Sequence, residues 1–137
     1  MPPMEGFPVR VPIQVRFADI DALGHVNNAA YLSYLELARI AYFHRILPGW
    51  LSEGHFVLAR VEVDYRKPLF LEDRVEVLAR TVRIGRSSFT MEYRVLKNGE
   101  EAARALSVQV YLENGRPTPL PKDLRQAIQS LEGHTLA

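Results

Sequence analysis

Residues 27–45 read NNAAYLSYLELARIAYFHR and decide the fold. Apolar side chains recur along this stretch at spacings of three and four, which is typical of an α-helix that buries most of its circumference. Asn27 or Asn28 is placed to cap the start of the helix, and Pro48-Gly49 is expected to end it. At 1.5 Å per residue, such a helix is roughly 30 Å long.

Alternation of apolar and polar residues predicts strands on both sides of this helix. The predicted strands run from Val9 to Phe17, His55 to Lys67, Glu72 to Ile84, Arg86 to Lys97 and Glu101 to Glu113. Asn98-Gly99 supplies the positive φ angles of a tight hairpin, and Asn114-Gly115 marks another turn. A short final helix is expected from Lys122 to Leu131. The order is therefore one strand, the long helix and four long strands.

The four later strands match the helix in length, because each is roughly 35 to 40 Å long. A flat sheet cannot cover a helix that is apolar on so much of its circumference, so a single sheet must curl around it. We predict one α+β domain over residues 1–137, with a curled antiparallel sheet around one central helix. Its edge strands invite pairing with a second copy, and we expect at least a dimer.

Composition and charge exclude several classes of function. Seventeen Lys and Arg against sixteen Asp and Glu give a net charge of +1, so no overall field favours nucleic acid or an anionic membrane. Zero cysteines exclude disulfides and thiolate metal sites, and the four histidines have no metal-ligand spacing. No apolar run approaches the roughly 20 residues that span a bilayer, and no secretory signal is evident. We expect a cytoplasmic protein without a metal.

The segment RFADIDALGHVNN, residues 16–28, carries the candidate chemistry because it places two aspartates and a histidine directly before the helix. The N–H groups of a helix's first turn lack intrahelical partners and can hold a carbonyl oxygen as it becomes an oxyanion. A carboxylate a few residues upstream is placed to act as a nucleophile or as a general base on water. The spacing alone also fits ordinary loop and capping residues, which are common before helices.

The same segment resembles a known family. Asp21-Ala22-Leu23-Gly24-His25-Val26-Asn27-Asn28, followed by Tyr31, Tyr34, Glu36 and Arg39, is similar to the motif of hotdog-fold acyl-CoA thioesterases of the 4-hydroxybenzoyl-CoA thioesterase type. The His-Val-Asn-Asn variant is also similar to acyl-carrier-protein thioesterases. Further similarity at 63–68, 73–75, 84–88 and 120–121 extends the resemblance over nearly the whole chain. It implies the hotdog fold and hydrolysis of acyl-CoA to free acid and CoA, with no cofactor beyond the CoA of the substrate.

The resemblance also implies a role for each residue of the motif. Asp21 matches the catalytic carboxylate, acting as nucleophile or as base toward water, and the backbone N–H of Asn28 matches the oxyanion donor. Asp19 is expected to organise the loop. The acyl-carrier-protein enzymes have Asn where this chain has Leu23, so His25 is expected either to shape the pocket or to hydrogen-bond the thioester.

Three side chains of the helix have two interpretations each. Tyr31 and Tyr34 share a helix face and either belong to the core or contact the acyl group. Glu36 lies among apolar neighbours and needs a partner. That partner is Arg39 or a cation across a dimer, unless Glu36 faces the acyl pocket.

Cations for the CoA phosphates are expected from the stretch 77–91, which contains no acidic residue. Arginine makes forked contacts to phosphate that lysine cannot. The candidates on this stretch are Arg80, Arg83, Arg86, Ser87 and Ser88, and the second candidates are Arg66 and Lys67. Alternatively, arginines at alternate strand positions form a solvated face.

The sequence leaves two other functions open, a non-catalytic acyl-CoA binding protein and a hotdog enoyl-thioester hydratase or dehydratase. It does not define the length or polarity of the acyl group, nor does it separate CoA from carrier-protein substrates. Dimer and tetramer are both compatible with a curled sheet, because strand joining and face-to-face stacking use surfaces that it leaves available.

Overall fold

A computed structural model of the chain describes residues 6–46 and 56–136. Its elements, in chain order, are β1 (Val9–Ile13), a 3-10 turn (Phe17–Asp19), α1 (Asn28–Ile46), β2 (Phe56–Tyr65), β3 (Val75–Ile84), β4 (Ser88–Lys97), β5 (Glu100–Glu113), β6 (Arg116–Pro117) and α2 (Lys122–Glu132). No helix in these two ranges is long and apolar enough to cross a membrane.

The five longer strands form one antiparallel sheet in the order β1-β3-β4-β5-β2, and the two-residue strand β6 pairs with the end of β5. Apolar side chains of alternate strand residues, such as Val77, Phe89 and Val95, lie in the core with the apolar side of α1. The predicted α+β hotdog architecture, a curled sheet around one long helix, is confirmed. Within residues 6–46 and 56–136, strands β1 and β2 are the edges of this sheet.

Two Asn-Gly turns set the register of the hairpins. Asn98 and Gly99 have φ angles of 50° and 88°, and Asn114 and Gly115 have φ angles of 52° and 75°. Positive φ at both central residues gives a turn whose twist matches the flanking strands, and Asn and Gly tolerate it best. The first turn joins β4 to β5 and the second follows β5, as the sequence predicts, whereas the pairing of β6 with β5 is not predicted.

Several boundaries differ from the sequence prediction. Strand β1 ends at Ile13 instead of Phe17, because residues 17–19 form a 3-10 turn held by hydrogen bonds to a side chain, which compete with strand pairing. Strand β3 begins at Val75, because Asp73 closes a turn in which the Phe70 N–H donates to the Asp73 carboxylate at 2.8 Å. The predicted helix stop at Pro48-Gly49 and the predicted start at His55 lie outside the described residues.

The sheet covers one side of α1 and leaves a flank exposed. Tyr31, Leu35 and Tyr42 are at most 2% exposed, whereas Leu32 and Leu37 are 44% and 50% exposed. Helix α1 is therefore less enclosed than its composition suggests.

Helix α2 packs on the core through Leu124 and Ile128, and one carboxylate adds hydrogen bonds. The Tyr42 hydroxyl donates to Glu132 Oε2 at 2.5 Å, and the Thr81 backbone N–H donates to the same oxygen at 2.8 Å. Burial raises the pKa of the Glu132 carboxyl, although these two hydrogen bonds act in the opposite direction. Glu132 thus joins α2 to both α1 and β3.

We expect Glu132→Ala to lower the free energy of unfolding by about 2 kcal/mol, because two buried donors lose their acceptor. Urea denaturation measures this change. Gln126→Ala, on the exposed side of α2, is the control and should stay within about 0.5 kcal/mol of the wild type. Equal effects of the two substitutions would show that the Glu132 contacts do not hold α2.

Candidate active site

A buried carboxylate organises the loop between β1 and α1. Asp19 is 3% exposed and accepts hydrogen bonds from the Arg16 backbone at 3.0 Å, the Arg16 guanidinium at 2.9 Å and the Tyr34 hydroxyl at 2.7 Å. Its backbone carbonyl accepts the Asn27 N–H at 2.8 Å. Burial alone would raise the pKa of Asp19, but the hydrogen bonds from Arg16 and Tyr34 outweigh it and the pKa lies below its ordinary value. Asp19 therefore fixes the loop on α1.

Asp21 lies at the exposed tip of this loop. Its backbone N–H donates to the His25 carbonyl at 2.8 Å, and its carboxylate accepts the Leu23 N–H at 2.9 Å. Gly24 completes the turn with a φ of +89°, an angle that a residue with a Cβ rarely adopts. The carboxylate is thus held by backbone geometry on the side of the loop that faces solvent.

The first turn of α1 keeps one amide available. Asn27 Oδ1 accepts the N–H groups of Ala29 and Ala30 at 2.7 and 3.1 Å, so Asn27 is the cap. The Asn28 N–H has no acceptor among residues 6–46 and 56–136. It lies at the positive end of the helix dipole, where partial negative charge is stabilised.

A cavity of about 250 Å³ lies at the start of α1. The residues that line it are His25, Val26, Asn28, Tyr31, Tyr65, Arg66, Lys67 and Pro68. The sequence candidates His25, Asn28, Tyr31, Arg66 and Lys67 are therefore brought together in one place. Asp21 and Tyr34 do not line the cavity.

Two tyrosines form the apolar wall of the cavity. The rings of Tyr31 and Tyr65 meet edge to face with centroids 4.8 Å apart, and the Tyr65 hydroxyl donates to the Asn28 carbonyl at 3.1 Å. Burial, together with neighbouring Tyr65 and Asp73, raises the pKa of Tyr31 to about 12, so its phenol stays protonated at neutral pH. The sequence reasoning missed Tyr65 as a site residue, although its place at the end of an alternating strand could have indicated it.

His25 and Glu36 have different surroundings. The His25 ring is half-buried and meets the Phe70 ring edge to face at a centroid distance of 5.7 Å. Glu36 is exposed on α1 and forms no ion pair with any described residue. It does not pair with Arg39 of its own helix, which was one of the two expected partners.

The cations on the cavity wall already have acidic neighbours. Arg66 Nε lies 3.4 Å from Glu101 Oε2, and Lys67 Nζ lies 2.8 Å from Glu100 Oε2. These side chains are about half exposed, so such pairs contribute little and can exchange for a phosphate.

The Arg86, Ser87 and Ser88 turn lies far from the cavity. Ser88 is the first residue of β4. The cavity residue Tyr65 pairs with Ala103 of β5, and Ala103 in turn pairs with a residue near the other end of β4. These two positions are seven residues apart along β4, a distance of roughly 23 Å. One chain therefore does not bring this turn and the α1 start into one site.

The turn itself is firmly held by its neighbours. The Gly85 N–H donates to the Ser88 carbonyl at 2.7 Å, the Tyr111 N–H donates to the Ser87 carbonyl at 2.8 Å, and the Leu120 N–H donates to the Arg86 carbonyl at 2.9 Å. The side chain of Arg86 remains exposed.

Arg80 does not belong with the other arginines of the expected basic patch. Its Nε donates to Glu92 at 2.8 Å, and its guanidinium lies 4.4 Å above the centre of the Phe7 ring. Arg83 and Arg86 are exposed and form no ion pair with a described residue. The patch available to an anion is therefore reduced to these two side chains.

The described ranges contain no group of three or more His, Cys, Asp or Glu side chains placed to hold a metal ion. The groups in and beside the site are an amide at a helix N-terminus, an exposed carboxylate, an imidazole and two phenols.

Comparisons with known proteins agree on one family. Residues 15–128 match the profile of the thioesterase-like superfamily. A thioesterase from Thermus thermophilus, solved as a complex with coenzyme A and Zn, is 62% identical with a TM-score of 0.92, over 97% of this chain and 100% of that one. The 1,4-dihydroxy-2-naphthoyl-CoA hydrolase of Synechococcus elongatus is 32% identical over 84% of this chain and 90% of its own length. The long-chain acyl-CoA thioesterase FadM of Escherichia coli is 27% identical over 90% and 98%.

The lowered pKa of Asp19 predicts how acid acts on the fold. Because the folded-state pKa lies below the ordinary 3.8, the carboxylate stabilises the fold above pH 3.8, and this contribution is lost as the pH falls through the folded pKa. We expect Asp19→Asn to lower the free energy of unfolding by about 2 kcal/mol at neutral pH. Because Asn does not titrate, the free energy of unfolding of this variant should fall less steeply in acid than that of the wild type. Urea denaturation across this pH range measures both effects.

Asp64→Asn, at an exposed position on β2, is the matched control. Its free energy of unfolding should fall in acid as steeply as that of the wild type. If the free energy of unfolding of Asp19→Asn falls in acid as steeply as that of the wild type, the function assigned to the Asp19 hydrogen bonds is wrong.

Proposed function

The chain belongs to the thioesterase-like superfamily, and we propose that it hydrolyses acyl-CoA thioesters to a free acid and CoA. The observation that carries this proposal is Asn28, which lines a cavity at the start of α1 and whose N–H has no acceptor among the described residues. The strong similarity to a thioesterase that was crystallised with coenzyme A supports it. The resemblance to enzymes of the 4-hydroxybenzoyl-CoA type points to the same reaction.

The Asn28 N–H polarises the thioester carbonyl in this proposal. As the carbonyl carbon becomes tetrahedral, negative charge develops on its oxygen, and a donor fixed in advance stabilises that charge without reorganising. Asn27 keeps the other amides of the turn occupied, so the oxyanion meets one directed donor and the helix dipole.

Asp21 supplies the second component, by one of two routes. As a nucleophile it attacks the carbonyl carbon, the C–S bond breaks, and water then hydrolyses the mixed anhydride. As a general base it takes a proton from water, which attacks the carbonyl carbon directly. In both routes the thiolate of CoA leaves and is protonated, and neither route requires a cofactor.

The remaining cavity residues bind the substrate. Tyr31 and Tyr65 offer aromatic faces to the acyl group or the thioester, and His25 shapes the mouth of the cavity or hydrogen-bonds the thioester. We assign Tyr34 to the support of the loop through Asp19, so that it acts on the substrate only indirectly.

A complete site requires a second copy of the chain. Arg86, Ser87 and Ser88 are proposed to bind the phosphates of CoA, yet they lie roughly 23 Å of strand from the cavity. Among the described residues β1 and β2 are the edge strands of the sheet, and the edges of a sheet can pair with another chain. We propose self-association as a dimer or tetramer in which one copy supplies the α1 start and another supplies this turn, in the cytoplasm as the sequence suggests.

We expect Asp21→Asn to lower kcat by at least about a hundredfold while the fold stays intact, because the group that attacks or activates water is lost. Release of free thiol from acyl-CoA measures the rate, and circular dichroism verifies the fold. Asp123→Asn, an exposed aspartate on α2, is the matched control and should keep full activity. Thiol release near the wild-type rate in Asp21→Asn would remove Asp21 from the mechanism.

We expect Arg86→Ala to raise KM for acyl-CoA about tenfold with kcat nearly unchanged, because one charge-assisted contact to phosphate is lost. The effect should shrink at high salt, which screens exposed charges. Arg60→Ala, an exposed arginine on β2, is the control and should leave KM unchanged. The assignment of Arg86 fails if both variants have the same KM.

A further inference from the structure

Residues 68–73 connect β2 to β3 and contribute to the cavity, and we call them the wall segment. Pro68 lines the cavity. The Leu69 carbonyl accepts the N–H of Val26, which also lines the cavity, at 2.8 Å. The wall segment is therefore hydrogen-bonded to the loop before α1.

The wall segment also packs against the imidazole of His25. The Phe70 ring meets the His25 ring edge to face, at an interplanar angle of 81° and a centroid distance of 5.7 Å. Among the described residues, the His25 imidazole has no hydrogen-bond partner. Because no hydrogen bond within this part of the chain fixes the ring, its direction depends on packing, and Phe70 supplies an aromatic face for it.

One ammonium group holds the wall segment at three points. Lys97, the last residue of β4, donates from Nζ to the Pro68 carbonyl at 2.9 Å. The same Nζ lies 4.7 Å from the centre of the Phe70 ring and 3.6 Å from Asp73 Oδ2. The Lys97 side chain is 22% exposed, so water and salt screen these contacts less than they screen contacts of a fully exposed lysine.

Asp73 carries the charge that neutralises this ammonium. Its carboxylate accepts the Phe70 N–H at 2.8 Å and the side-chain amide of Asn98 at 3.0 Å. Burial alone would raise the pKa of Asp73, but these hydrogen bonds and Lys97 outweigh it, and the pKa lies below its ordinary value. Asp73 is thus ionised at neutral pH, and the end of β4 is tied to the wall segment by two adjacent residues.

Lys97 differs in its surroundings from the nearby Lys67. Lys67 lines the cavity, and its Nζ pairs with the exposed Glu100 at 2.8 Å. Lys97 is not among the described residues that line the cavity, and its ammonium is already in contact with a carbonyl, a ring and a carboxylate. It therefore affects the site only through the wall segment.

We propose that Lys97 is a positioning residue for the proposed hydrolysis, and that it acts by holding Phe70 against His25. This inference rests on the proposed function and selects one of the two functions given to His25, a hydrogen bond to the thioester. Such a bond must be directed at its acceptor, since a misplacement of about 1 Å can cost a hundredfold in rate. Lys97 supplies this direction without touching the substrate.

Kinetic measurements in two backgrounds test this inference. Lys97→Met keeps the aliphatic stem and removes the ammonium, and we expect it to lower kcat for acyl-CoA about tenfold with little change in KM. In the His25→Ala background, the same substitution should change kcat by less than about twofold, because no imidazole is left to direct. Lys122→Met, which replaces an exposed lysine at the start of α2, is the matched control and should leave kcat unchanged in both backgrounds.

The comparison of backgrounds separates positioning from a loss of folded protein. A partly unfolded variant loses the same fraction of its activity whether His25 is present or not, so an equal loss in both backgrounds would overturn the inference. Phe70→Leu repeats the test at a position that is 37% exposed, and it removes the ring while Lys97 keeps its other contacts. It should lower kcat only when His25 is present, and it keeps the inference falsifiable even if Lys97→Met does not fold.

The NMR resonances of His25 report on this arrangement without turnover. The imidazole protons, identified by their loss in His25→Ala, are shifted by the ring current of Phe70. We expect Lys97→Met and Phe70→Leu to move these resonances and Lys122→Met to leave them in place. Unchanged His25 resonances in Lys97→Met would overturn this inference alone, whereas a wild type that releases no thiol from acyl-CoA would overturn the proposed function and the positioning with it.

Discussion

The buried carboxylate of Asp19 is the constraint on which the candidate site depends. It joins the backbone and side chain of Arg16 to the hydroxyl of Tyr34, and its own carbonyl receives the amide of Asn27. The loop therefore cannot move independently of α1. Because the cap at Asn27 is set by the same contacts, one buried charge positions both the exposed carboxylate of Asp21 and the available amide of Asn28.

The length of the sheet determines which parts of the proposed site lie close together in a single chain. Its strands run between two ends, and the α1 start and the Arg86 turn lie at opposite ends of β4. A side chain reaches only a few ångströms, whereas the strand extends roughly 23 Å between these levels. The same topology leaves β2 as an edge beside an exposed flank of α1. The separation of the two parts of the proposed site and the exposed edge thus have one geometric origin.

Charge is distributed in a way that the net value of +1 conceals. Arg80 is held by Glu92 and by the ring of Phe7, so it contributes to the outer face of the sheet and not to anion binding. Arg83 and Arg86 remain exposed, whereas Arg39 is buried and donates to the Tyr93 hydroxyl. The arginines of this chain therefore differ in burial and in the groups that surround them.

Local pattern alone determined much of this protein. The long helix, the order of the strands, the Asn-Gly hairpin and the cap beside Asn28 follow from periodicity and from residues close in sequence, because helices and turns are stabilised by contacts within a few positions. The resemblance of the segment 21–28 to a family motif added Asp21 and Asn28 as candidates. Only the tertiary structure placed Tyr65 in the cavity and buried Arg39 against Tyr93. These features depend on contacts between residues tens of positions apart, and the spacing of residues along the chain carries no record of them.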